Sequence, residues 1–293
     1  MRLPIATLEK IRIQRLIFSI RTSTVSMENI ASLMEKIFEK GGKCFDLPTI
    51  RHLESIRGLR ESTGDETLIG FGHVGAEAGV SLVGKPLHQF ESKVVSTMIK
   101  NIVPPESVRK LFPARSFDEV LTQKEIDRMV FDRSRFQLAL SAFDPRKVPF
   151  LFIGGRYGDW LWGLGRGDLL KEMVRESRQK GFIPLFSAHW ATFALPKAKH
   201  LDVAAYAVII NKKKAFFDFD HACKVIKTFE KPIIGLDPLA EGRLFGKAEK
   251  AFSFLFQELK VHSAVVEVTS ASEAEILLKA IQRVPSLIPF RKT

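Results

Sequence analysis

Eight short apolar runs alternate with amphipathic stretches along this chain, and that alternation restricts the possible folds more than any other feature. The runs are LIFSI (16–20), CFDL (44–47), TLIGF (67–71), FLFI (150–153), FIPLF (182–186), VAAYAVII (203–210), IIGL (233–236) and AVVEV (264–268). Apolar residues stand at consecutive positions in them, not at every second one. That is the mark of strands covered on both faces, as in a parallel sheet. Between the runs, Ile30, Leu33, Met34, Ile37 and Phe38 repeat at helical spacing, and Gly41-Gly42 ends that helix. Ala222, Val225, Ile226 and Phe229 form a second such stripe, and Phe252, Leu255, Phe256 and Leu259 a third. These are the core faces of amphipathic helices. Ser270 and Glu273 have the spacing of a capping box in front of a last helix.

Eight strands alternating with helices fit a single α/β domain over residues 1–293, a (β/α)8 TIM barrel, whose typical length is about 250 residues. The competing architecture is an open doubly wound sheet, which usually carries a Gly-rich phosphate loop after its first strand. Here the first strand is followed by RTSTVSMEN, without glycine. One segment breaks the rhythm. Residues 104–149 open on Pro104-Pro105, carry a helix-start signal at Ser116 with Glu119, and contain FQLALSAF (136–143), readable as helix or strand. This segment is expected as an insertion before strand 4, serving as a lid, a partner surface or plain packing.

The hydrophobic fraction of 45% and charged fraction of 27% describe a globular chain. No apolar run approaches the roughly 18 residues that span a bilayer, and the amino terminus has no signal-peptide core, so a cytoplasmic location is expected. Cys44 and Cys223 are the only cysteines and are read as two thiols. The net charge of +12 comes from residues spread along the chain. It is read as solvated surface, with an anionic small-molecule ligand as the second reading. No basic motif interleaved with aromatics points to nucleic acid.

In a barrel, residues at the carboxyl ends of strands face the site. FLFIGGRYGDWLWGLGRGD (150–168) sets a strand before a loop with six glycines, two tryptophans and a tyrosine. This is either a site rim or a sharp connection stiffened by aromatic packing. Arg156, Asp159 and Trp160 from this loop, with Arg51, are the candidate substrate-binding residues, suited to a small anionic or hydroxylated ligand. Asp46, His73 and Tyr157 form a candidate acid/base set, since His and Tyr both transfer protons when suitably tuned. A metal reading would draw on Asp46, His189, Asp237 and Glu267, although no HxH or HExxH cluster supports it and no metal ligand is assigned.

From the second strand onward the chain resembles the aldo/keto reductase superfamily. KCFDLPT (43–49) looks like that family's FDTA signature, and GFIPLFSAH (181–189) falls where the family has a strand and a Ser-Asn-His turn. LDVAAYAVIIN (201–211) resembles the next strand, which commonly ends in Asn, and VHSAVVEVTSASEAEILLKA (261–280) the last strand and helix. KPIIGLDPLAEGRL (231–244) matches the strand-seven loop and is the most specific part. The resemblance implies carbonyl reduction with NADP or NAD, and places Ser187, His189, Asn211, Asp237, Thr269 and Ser270 as cofactor-binding residues. It also implies a catalytic Asp, Tyr, Lys and His. Asp46 matches the aspartate. The tyrosine position is Arg51, the lysine falls near Gly72-His73, and the histidine falls at Gly155-Arg156. An arginine cannot donate a proton usefully at neutral pH. Where the family holds a 2′-phosphate with basic residues, this chain has Glu267 and Glu273. The expectation is therefore a divergent small-molecule enzyme acting on a carbonyl or sugar-like metabolite with a changed site. The alternative is a catalytically inactive barrel that binds a metabolite or a protein.

Overall fold

The structure is a computed structural model in which residues 3–102, 119–213 and 219–284 are described. Its centre is a closed barrel of eight strands. They are β1 (Leu16–Ile20), β2 (Cys44–Leu47), β3 (Ile69–Gly75), β4 (Phe150–Gly154), β5 (Ile183–Ala188), β6 (Ala205–Ile209), β7 (Ile233–Leu236) and β8 (Ser263–Val268). Each strand pairs in parallel with its neighbour in sequence, and β8 closes on β1 with Glu267 opposite Ser19. All eight expected runs are barrel strands. The third differs in extent: it continues past Phe71 to Gly75, so His73 lies on the strand itself.

The surrounding helices include α1 (Ile30–Glu39), α2 (Ile50–Thr63), α3 (Glu91–Ile102), α4 (Gly158–Gly163), α5 (Gly167–Gln179), α6 (Ala191–Ala198), α7 (Phe219–Thr228), α8 (Ala248–Ser253) and α9 (Ala271–Arg283). The expected stripes are their buried faces: Ile30, Leu33, Met34 and Ile37 on α1, and Ala222 and Ile226 on α7. Gly41, at φ +99°, turns the chain out of α1 in a conformation that disfavours side chains. A second, apolar interior lies inside the barrel, where Ile17, Cys44, Phe71, Phe150, Phe152, Leu185, Ala207, Ile234 and Val265 pack together. Phe71 stacks on Phe150 with ring centroids 4.9 Å apart. An antiparallel hairpin, Ile5–Leu8 with Ile11–Gln14, sends Leu8 and Ile13 into this interior and closes the amino-terminal end. The barrel therefore has one open end, the carboxyl-terminal one.

The segment between β3 and β4 departs from a simple helix. It holds a three-stranded antiparallel sheet with Val80–Leu82 between Lys85–Pro86 and Met129–Phe131, then α3 and further short helices. FQLALSAF resolves as helix, because Arg133–Leu140 is helical and Asp132 Oδ1 accepts the Arg135 N–H at 3.1 Å. The Ser116 cap lies outside the described residues. The described helix nearby, Gln123–Asp127, starts from a Thr122–Glu125 capping box. Both cysteines are free thiols, and burial pushes Cys44 up to about 12. No described helix is long and apolar enough to cross a membrane.

Candidate functional site at the barrel mouth

Side chains alternate along a strand, so every second residue of a barrel strand points inward. The inward columns run Ile17–Ser19, Cys44–Asp46, Phe71–His73, Leu185–Ser187 and Val265–Glu267. Their deep members belong to the apolar interior, and their last members are polar. Five strands thus set polar groups on a floor of aromatic and aliphatic side chains at the open end.

Three of these groups are joined. Ser19 Oγ donates to Asp46 Oδ2 at 2.8 Å, and His73 Nε2 lies 2.5 Å from Asp46 Oδ1. The His73 ring leans on Phe152 with centroids 4.9 Å apart. The Asp46 side chain is only 9% exposed, whereas that of His73 is 36% exposed. Burial is the largest single influence on the His73 ring and lowers its pKa. The charge of Asp46, its hydrogen bond and the charge of Glu77 act in the opposite sense and together raise it. The sequence reading overlooked Ser19. Its signal was the single hydroxyl in LIFSI, two residues along the inward column from Ile17.

His52 is close by but differently held. It is fully buried, with Nδ1 2.8 Å from Thr49 Oγ1 and Nε2 3.2 Å from Ile20 O. Burial lowers its pKa below the ordinary histidine value, and its two contacts tie α2 to β1. Arg51, beside it, donates to Met27 O and Glu54 on the outer face of the rim.

The β4 loop is bound into the fold. Arg156 and Tyr157 belong to a one-turn helix, Gly155–Tyr157, that leads into α4. Tyr157 is 4% exposed, meets Trp160 edge-on at 4.6 Å, and places its hydroxyl 3.5 Å from Glu91 on α3. Trp160 packs with Trp190 against Met98 and Ile99 of α3. Asp159 is 3% exposed and accepts the N–H groups of His189 at 2.7 Å and Trp190 at 3.3 Å, so its carboxylate anchors the β5 loop. His189 Nδ1 lies 3.7 Å from the same carboxylate. A Cβ at Gly158 would stand 2.3 Å from Ser187 O, which explains the glycine: two loop backbones touch there.

On the far side of the mouth, Asn211 Nδ2 donates to Asp237 O at 2.9 Å, joining the ends of β6 and β7. Asp237, at φ +48°, accepts the Glu241 N–H at 2.6 Å. Glu267 pairs with Arg21. Glu273 Oε2 accepts from Thr269 N at 2.7 Å and Thr269 Oγ1 at 2.9 Å, while Ser270 Oγ accepts the Glu273 N–H at 3.2 Å. Arg21, Asp237, Phe245, Glu267, Thr269 and Glu273 contribute to the lining of a cavity of about 270 Å³. Among the described residues, no group of three or more His, Cys, Asp and Glu side chains is arranged to hold a metal ion.

Solved structures with this architecture cover almost the whole chain. An aldo-keto reductase from Bacillus halodurans in its holo form superposes with a TM-score of 0.58 at 10% identity, covering 99% of each chain. A candidate aldo-keto reductase from Pseudomonas aeruginosa gives 0.57 at 12% identity, covering 95% of this chain and 94% of its own. The fold is that of the aldo-keto reductases. No family model matches the sequence, and no curated protein matches it. The likeness to solved aldo-keto reductases therefore lies in the fold.

The aldo-keto reductase resemblance implies a nicotinamide cofactor, and its phosphate end would meet the β8–α9 turn. The residues present do not fit a 2′-phosphate. Glu267 and Glu273 stand there, and the Thr269 donors are already taken by a carboxylate.

Proposed function

We propose that the protein is a proton-transfer enzyme of small carbonyl or hydroxylated metabolites, with His73 as the acid/base group and Asp46 as its orienting partner. The observation that carries this reading is the 2.5 Å contact between His73 Nε2 and Asp46 Oδ1 at the open end of the barrel. In the sequence resemblance Asp46 matches the aldo-keto reductase aspartate, whose implied role is to support a neighbouring cationic group. His73 is the partner it finds here. A carboxylate on Nε2 holds the ring orientation and stabilises the imidazolium, and Ser19 fixes the second carboxylate oxygen. Neutral His73 withdraws a proton from a hydroxyl, or from the carbon beside a carbonyl, and returns it as the imidazolium. Tyr157 supports the wall of the site, since its ring is buried against Trp160.

The test is deuterium exchange, followed by NMR, into dihydroxyacetone and a panel of small aldoses and ketoses in D2O. Exchange at the carbon beside the carbonyl should exceed the uncatalysed rate. It should fall by about 10²–10⁴-fold in His73→Gln, the usual weight of a general acid/base. Exchange no faster than background across the panel would favour a catalytically silent, ligand-binding barrel. Exchange untouched by His73→Gln would remove the assigned base.

A further inference from the structure

We propose that Glu273 is an internal anion occupying the phosphate-accepting turn between β8 and α9, so that this protein rejects ligands carrying a 2′-phosphate. The inference concerns ligand choice and stands apart from the role given to His73. The amino-terminal end of a helix offers unsatisfied N–H groups and a favourable dipole, which together suit a phosphate. Here α9 is 13 residues long, and the Glu273 N–H in its first turn is capped by the Ser270 side chain. One carboxylate oxygen, Glu273 Oε2, takes both Thr269 donors, N at 2.7 Å and Oγ1 at 2.9 Å. Ser270 Oγ faces the Glu273 backbone N–H at 3.2 Å, so the hydroxyl is turned toward the helix.

An arriving phosphate would have to expel that carboxylate and then remain beside two more. Asp237 and Glu267 line the same cavity, and Arg21, which also lines it, is paired with Glu267. The chain as a whole carries +12 and attracts anions at long range. Rejection is therefore local and opposite in sign to the field of the molecule.

Adenosine 2′,5′-bisphosphate is the probe, titrated by calorimetry into the full chain, Glu273→Gln and Glu273→Ala, with thermal melts to verify folding. The wild type should show no saturable binding at millimolar probe. Glu273→Ala frees the Thr269 donors and removes a charge, and should gain at least about tenfold in affinity. Glu273→Gln keeps an acceptor for Thr269 and preserves the turn, so its gain should be smaller but measurable. It carries the test if the alanine variant does not fold. Submillimolar binding by the wild type, or no gain in a folded variant, overturns the proposal.

Discussion

Asp46 and Glu273 are both carboxylates at the open face of the barrel, one on β2 and the other just beyond β8. Asp46 faces an imidazole that is partly open to solvent and able to gain and lose a proton. Glu273 faces a backbone N–H and a hydroxyl that give up no proton at ordinary pH. Asp159 resembles Glu273, since its oxygens hold the backbone of the β5 loop. A carboxylate at a strand end is therefore not yet a catalytic group. What decides its role is whether its partner titrates.

The contrast can be broken or sharpened by substitution. The largest effect belongs to the floor under the Asp46–His73 pair. Phe71→Ala empties a fully buried position stacked on Phe150 and should cost about 3–5 kcal/mol, read from the denaturant midpoint. Asp159→Ala leaves two loop N–H groups without their acceptor and should cost about 1–3 kcal/mol, with no change in the titration of His73. If that titration moved, the two sides of the mouth would not be independent.

Asp46→Asn should change the shape of the stability–pH curve. His73 has a raised pKa in the folded state, so the stabilisation it gains from Asp46 is full below the ordinary histidine value of about 6.5. It is lost as pH rises through the raised value, and Asp46→Asn should remove that decline. The opposite end of the barrel gives the opposite sign. Burial, with the charge of Arg15, lowers His262 to about 4, so its contribution is present above about 6.5 and disappears as pH falls toward 4. Stability measured against pH in His262→Gln should lose that acid arm. The smallest effect is expected for Arg21→Ala, because its pair with Glu267 is well exposed. The change should stay within about 1 kcal/mol.

The barrel was legible because burial on both faces leaves an unbroken apolar run, and eight such runs with helical stripes between them leave few topologies. Asp46 and His73 could be named because they stand at strand ends. Their joining depended on the length of β3, which carries His73 two residues beyond Phe71 into the inward column, and no propensity fixes that. Ser19 was hidden by its apolar neighbours. The β4 loop looked like a ligand rim because it mixes rings, charges and glycines. In the fold, Gly158 permits contact with the β5 backbone, and Asp159 and Tyr157 turn toward protein partners. The sequence shows which residues are polar there, but not which donors they meet.

We propose that Asp46 makes His73 a proton-carrying group at the barrel mouth. The most direct test is an NMR titration of the histidine side chains in wild type and Asp46→Asn, with the His73 signal assigned by its loss in His73→Gln. His73 should titrate above the ordinary histidine value in the wild type and fall in Asp46→Asn, while His52 and His262 should titrate below that value. A His73 resonance at or below the ordinary value, or one indifferent to Asp46→Asn, would contradict it.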